Sequence, residues 1–383
     1  MSETKLSSAA YADSKPHYEL LDGLRGVAAL LVVWYHIYEC FPIEYQWFNH
    51  GYLGVDFFFI LSGFVIGYAY DDRWKQMSMG DFIKRRLVRL HPMVVMGVVL
   101  GAITFCIQGA EQWDGTQMTI SMIMVAMLLN MFMIPNLPGA ACEVRGNGEM
   151  FPLNGPTWSL FFEYFANILY ALFLRRLPNK ALVAVTCLSG LALLWYAIED
   201  VAGYGSLGVG WTLVDGNLLG GILRVTFPFS AGLLMSRVFK PMMIRGAFWV
   251  CSAILLALLI VPFISVGEST LFNRLYDVMC ILFFFPMVVF LGASGKTTDK
   301  KSSAICKFLG DISFPLYMVH YPFMYLFYDY IGFPETFRVP SETWPFHLLL
   351  FFGNIALAYV ILKLYDEPVR KWLTKKLGIG YKK

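Results

Sequence analysis

An arginine and a histidine eleven residues apart, Arg25 and His36, lie in the first apolar stretch of the chain. At 3.6 residues per helical turn that interval is close to three whole turns, so the two side chains share one face. Their axial separation is ~16 Å at a rise of 1.5 Å per residue. A guanidinium at the water surface with an imidazole buried in line below it suits a long, thin ligand. A histidine at mid-depth in an apolar helix is costly, so its default reading is functional; the bland alternative is a ring donating to a carbonyl on a neighbouring helix.

Three further groups carry polar chemistry. Lys84-Arg85-Arg86-Leu87-Val88-Arg89 places Arg86 and Arg89 on one helical turn. Guanidinium forks pair bidentately with phosphate oxygens, although a basic cluster beside a membrane also marks topology or grips anionic lipid. Asn154-Gly155-Pro156 reads as a helix start. Ser159, Glu163 and Asn167 follow it as a polar stripe at i, i+4 and i+8, and an intramembrane Glu163 needs an arginine or an imidazole as partner. In the block from Leu309 to Pro322, Asp311 lies at one rim and His320 ~13 Å further along, level with His36. Pro315 and Pro322 loosen that backbone, as expected beside a cavity. Tyr317 is one turn from His320. Two histidines at matched depth from opposite ends of the chain predict one shared polar chamber. Asp56 is placed just inside the far rim, where it stays wet.

Other patterns carry no weight. Gly203-Tyr204-Gly205-Ser206-Leu207-Gly208 matches G-x-G-x-x-G but follows no strand. His17 and Asp22 form H-x4-D, as in soluble-faced glycerolipid acyltransferases, without that family's other blocks. The absence of G-x-S-x-G, H-E-x-x-H and P-loop patterns disfavours a serine hydrolase, a zinc protease and an ATPase. Seven scattered cysteines without C-x-x-C indicate neither a disulfide framework nor a zinc site.

The elements that must position these residues are membrane helices. The chain has 383 residues, 57% hydrophobic and 15% charged, against about 25% charged in soluble domains. Apolar runs of spanning length fall near 24–41, 51–70, 92–108, 157–174, 181–198, 219–236, 246–266, 275–293, 308–330 and 346–364. The fold class is therefore an all-α polytopic membrane protein of about ten spans. The run at 118–135 is ambiguous, and charge decides it. If it does not cross, 26 of the 30 Lys and Arg lie on the side of the N-terminus. If it crosses, 17 of those change side. The positive-inside rule selects the first arrangement: both termini cytoplasmic, and 118–135 re-entrant or lying on the surface. The polar tail at 1–20 lacks the apolar core of a cleaved signal. A membrane domain at 21–373 and a basic tail at 374–383 complete the organisation. Loops rich in Gly, Pro, Trp and acids gather on the outer side, where an acceptor outside the membrane could dock.

Six blocks in order resemble the membrane acyltransferase-3 family. They are Arg25 with His36 (R-x10-H), Gly54 to Gly63, Arg86 with Arg89 (R-x-x-R), Trp158 to Glu163, Leu309 to Pro322, and Glu367 to Trp372, the last one residue tighter than the family pattern. The resemblance runs from about Leu20 to Leu373, and only a short basic tail follows, as in a stand-alone form without an SGNH-type esterase domain. It implies a multi-pass enzyme of a bacterial inner membrane that moves an acyl group, usually acetyl, from cytoplasmic acyl-CoA to a hydroxyl of a glycan or small acceptor. Acyl-CoA is then a donor substrate, with no metal and no nucleic acid involved. It also implies that Arg86, Arg89 and Arg25 hold the donor while His36 acts as base or as covalent acyl carrier. Glu163 or Asp311 would orient an imidazole, and Tyr317 or His320 would donate to the oxyanion. The rival class is a transporter or flippase using the same His, Asp and Glu residues as a proton or substrate path.

Overall fold

The computed structural model describes residues 18–379 apart from 243, 265–268, 297–298 and 336–337. The tail before residue 18, with His17, and residues 380–383 lie outside that part. The regular secondary structure among the described residues is helical, with only isolated bridges between extended segments. Eight continuous helical stretches among them are long and apolar enough to cross a membrane. Two of the ten expected spans have a different form. The run at 246–266 yields only a 13-residue helix, Ala247–Leu259. The run at 308–330 is broken at His320.

That break has a local cause. Helix α11 (Lys300–Val319) ends at His320, and α12 (Tyr321–Ile331) starts with Pro322 in its first turn. Proline has no N–H to offer the carbonyl four residues back. That carbonyl is Met318 O, and the Asn154 side-chain amide donates to it instead at 2.9 Å. The carbonyl freed at this helix break is thereby satisfied, and His320 sits at the corner.

Helix α1 (Glu19–Tyr38) is the central element. Its Leu20, Leu21, Leu24 and Ala28 enter one large apolar cluster, and its Ala29, Val32, Val33 and Ile37 enter another. It meets α11 closely: a Cβ on Gly26 would lie 2.4 Å from Leu309 O. Helices α2 (Gly54–Tyr70) and α7 (Asn217–Val238) approach in the same way, since a Cβ on Gly63 would lie 2.1 Å from Phe229 O. Such small-residue seams are how helices bring their backbones together in lipid.

Helix α3 (Met79–Ile107) starts well before the expected 92, because Ser78 and Asp81 form a reciprocal capping box. Arg86 and Arg89 therefore lie inside a helix that begins ahead of the expected span, and they share one turn of it. Helix α4 (Ile120–Met131) has 12 residues, ~18 Å of length against ~30 Å of bilayer core. Helices α5 (Thr157–Leu172), α6 (Asn179–Glu199), α8 (Ala247–Leu259), α9 (Leu271–Met279) and α10 (Phe285–Ser294) complete the bundle with α13 (Pro340–Ile361) and α14 (Glu367–Lys376). A five-residue π turn, Leu362–Asp366, joins the last two.

Asp56 is not wet. It is fully buried and grips Arg224 of α7 through both oxygens, at 3.0 and 2.5 Å. Arg224 spends its other donors on Val209 O and Tyr52 O, so the pair clamps α2, α7 and a loop together. Replacing Asp56 by alanine leaves a buried guanidinium without its counter-charge, at a cost of about 3–5 kcal/mol. The expected result is a marked fall in the thermal midpoint in detergent, partly recovered when Arg224→Leu is added. An unchanged midpoint would contradict the clamp.

Candidate active site

Arg25 is fixed across the α1–α11 seam. Its Nε donates to Ser313 Oγ at 2.9 Å, its Nη2 donates to Gly310 O at 3.2 Å, and Asp22 lies 3.3 Å away. Facing it from α3, Arg86 is nearly buried and donates to Glu163 Oε1 of α5 at 2.6 Å, an oxygen that also accepts from Ser62 at 2.9 Å. Glu163 therefore serves an arginine and not an imidazole. Arg89, one turn further, is exposed.

These arginines surround the mouth of a cavity of about 190 Å³. Its walls are apolar, with Phe58, Phe59, Val65 and Leu90 among them, and its polar residues lie at the mouth, at Ser62 and Glu163, and at Ser159 and Tyr317. Tyr317 is fixed there by contacts with Ser159 Oγ at 2.8 Å and Pro156 O at 3.2 Å. The cavity is mostly apolar, and its charged lining residues are Asp22, Arg25, Arg86, Arg89 and Glu163.

Beyond Tyr317 lie the two histidines. The Tyr317 and His320 rings are 5.9 Å apart, and the His320 and His36 rings are 5.3 Å apart. The two histidines expected to lie at matched depth are brought into ring contact, and neither lines the cavity. His36 belongs to the last turn of α1 and not to its middle. Its ring packs against His320 and Tyr321 and is largely shielded.

His320 is fully buried, and its Nδ1 faces Leu316 O at 3.1 Å. A carbonyl can only accept, so Nδ1 carries the proton and Nε2 keeps its lone pair. That Nε2 is buried without a hydrogen-bond partner. His36 Nδ1 lies 2.8 Å from Glu39 Oε2, within ion-pair distance though outside hydrogen-bond alignment. Glu39 Oε1 accepts from Tyr321 at 2.9 Å and from Tyr328 at 2.7 Å. The Tyr328 hydroxyl also meets the His36 carbonyl. An imidazole beside a fixed carboxylate, next to a second imidazole with a free lone pair, can accept a proton or attack a carbonyl.

Glu39 is the residue that sequence reasoning missed. Its signal was present, since i and i+3 meet on a helix, but it stands at the end of an apolar run where an acid reads as a solvated terminus. Asp311 is exposed at the opposite rim and touches neither imidazole. Among the described residues no group of three or more His, Cys, Asp or Glu is placed to hold a metal. The Gly203–Gly208 loop is occupied by the protein itself, because the Leu207 N–H donates to Asp277 at 2.8 Å.

Comparison with known proteins gives a consistent picture. A family model described as an acyltransferase domain (acyltransferase 3) matches residues 18–363. The chain is similar to "Protein 2 in picA locus" of Rhizobium radiobacter, 34% identical over 188 residues, which are 47% of this chain and 94% of that one. It is 26% identical over 383 residues to a Staphylococcus aureus protein named "Putative O-acetyltransferase", covering 94% of this chain and 58% of the other. It thus spans little more than half the length of that relative. A shorter likeness, 32% over 90 residues, is to "Peptidoglycan O-acetyltransferase" of Listeria monocytogenes, covering 23% of this chain and 14% of that one. No solved structure matches.

Proposed function

This chain belongs to the acyltransferase 3 family, and we propose that it transfers an acyl group, acetyl foremost, from acyl-CoA to a hydroxyl on the far side of a bacterial inner membrane. The observation that carries this reading is the line of polar groups across the bundle. Arg25, Arg86 and Arg89 line a mostly apolar cavity that Tyr317 also lines, and from Tyr317 the rings of His320 and then His36 follow, with Glu39 beside His36. The charge distribution supports a cytoplasmic Arg25 end, where acyl-CoA is made, and an outer His36 end. The name of the Listeria relative, matched over 23% of this chain, supports a carbohydrate acceptor.

In this mechanism the pantetheine arm enters past Arg25 and brings its thioester to the Tyr317 side of the cavity. His36 takes the proton of the acceptor hydroxyl, and Glu39 stabilises the imidazolium that forms. The acceptor oxygen bonds to the thioester carbon. The carbon–sulfur bond breaks, and the thiolate leaves with a proton returned from the imidazolium. The alternative order has His36 take the acyl group first and pass it on to the hydroxyl. His320 Nε2 is free to accept a hydrogen bond from the His36 ring once that ring is protonated. Tyr317 lines the cavity and would donate to the oxyanion on releasing its bonds to Ser159 Oγ and Pro156 O.

The test uses purified protein with radiolabelled acetyl-CoA. Protein-dependent release of CoA, with label on a hydroxylated acceptor, supports the enzyme. Absence of both overturns it and favours the transporter.

The two arginines of R-x-x-R separate in this reading. Arg89→Ala is expected to raise the donor KM several-fold with little change in kcat, about the effect of losing one exposed charge contact. Arg86→Ala instead leaves Glu163 without its cation and should lower the yield of folded protein, a loss that Glu163→Gln relieves. Equal behaviour of the two variants would contradict this division.

A further inference from the structure

Arg89 is shared by three cavities at the Arg25 end of the bundle. The smallest, at about 190 Å³, is the mostly apolar cavity that Tyr317 lines. The other two border it, sharing Asp22, Arg25 and Arg89 in one case and Tyr70 and Arg89 in the other, and their charges differ. A space of about 440 Å³ against α11 is lined by five carboxylates, Asp22, Asp311 and Asp366 among them, and by four cations. The groove of about 930 Å³ between α3 and α14 is lined by Arg85, Arg89, Arg370, Lys371 and Lys375, with Glu367 as its sole carboxylate. A polyanion meets balanced charge in the first and strong net attraction in the second.

We propose that this second groove holds the phosphorylated nucleotide head of the acyl donor, which makes the C-terminal helix α14 part of the donor site. The proposal rests on the acyl-CoA reading above and assigns its bulky end. Tyr70 and Arg89 line both the groove and the smaller cavity, so a head placed in the groove delivers its arm to that cavity. Lys371 and Lys375 are one turn apart on α14, both exposed, and form a pair of donors for phosphate oxygens. Arg370 is anchored by Asp366 at 2.7 Å and keeps its Nε without a partner. The π turn at Leu362–Asp366 shifts the helical register just before α14, as such turns do near functional sites. The terminal block Glu367 to Trp372 thereby acquires a task that the transfer chemistry itself does not give it.

The same cations would suit an anionic lipid headgroup, so the test is made in nanodiscs of neutral phosphatidylcholine. CoA and pantetheine, which lacks the nucleotide and its phosphates, are titrated against the parent and against the double variant Lys371→Glu/Lys375→Glu. The parent is expected to prefer CoA, and the double variant to lose about tenfold of that preference, about 1.4 kcal/mol. Lys371→Arg/Lys375→Arg should retain it. Both lysines are exposed, so these changes leave the bundle intact. An unchanged preference in the Glu variant overturns the proposal, and loss of retained phosphatidylglycerol in its place assigns the groove to lipid. In that case the acyltransferase reading survives if acetyl-CoA is still turned over. A parent protein that binds no CoA overturns both.

Discussion

Replacing His36 by alanine is expected to lower acyl transfer by about a thousandfold while leaving the protein folded. The size follows from removing a positioned acid–base group, whose contribution is typically about 10²–10⁴. Folding should survive because the ring is only a small part of the packing at that end. Tyr321 and Tyr328 still donate to Glu39, and the His36 carbonyl keeps its Tyr328 contact. The check pairs the initial rate of CoA release with the thermal midpoint of the same preparation. A variant with a near-normal rate would remove His36 from the chemistry. A collapsed midpoint would make it structural, and the milder His36→Gln would then show whether rate and stability separate.

The second large effect is expected at Glu39. Glu39→Gln keeps an oxygen acceptor for Tyr321 and Tyr328 but deletes the negative charge beside His36 Nδ1. The imidazolium formed during transfer then loses its counter-charge, and kcat should fall about a hundredfold with the donor KM little changed. Glu39→Ala should do further harm, since the Tyr321 hydroxyl loses its acceptor at a cost of about 1–3 kcal/mol, while Tyr328 keeps the His36 carbonyl. If Gln supports a normal kcat, the carboxylate only ties helices together, and His36 acts without it.

Both residues illustrate what the chain shows by itself. Arg25 and His36 are readable because the helical period alone aligns them, and neighbouring polar groups then confirm the face. The pairing of His36 with His320 was also within reach, since matched depth on two helices is a one-dimensional argument. Glu39 was not: its hydroxyl partners Tyr321 and Tyr328 are 282 and 289 positions away, and no local pattern reports such contacts. Asp56 failed for the same reason, because its arginine is 168 positions distant. Hydropathy located most spans but placed the start of α3 too late, since it registers Arg86 and Arg89 as loop while a Ser78 cap extends the helix beneath them. It also ran through His320, where the missing N–H of Pro322 ends α11 and the Asn154 amide fills the gap. Glu163 was correctly expected to need a partner, and the choice between arginine and imidazole required the fold.

The most direct measurement is a cryo-electron microscopy map with a non-transferable acyl-CoA analogue bound. The account predicts its pantetheine arm in the cavity past Arg25, with the acyl carbon at Tyr317 beside the His320 and His36 pair. Density confined to the outer surface, with the cavity empty and the acyl group remote from both imidazoles, would contradict it.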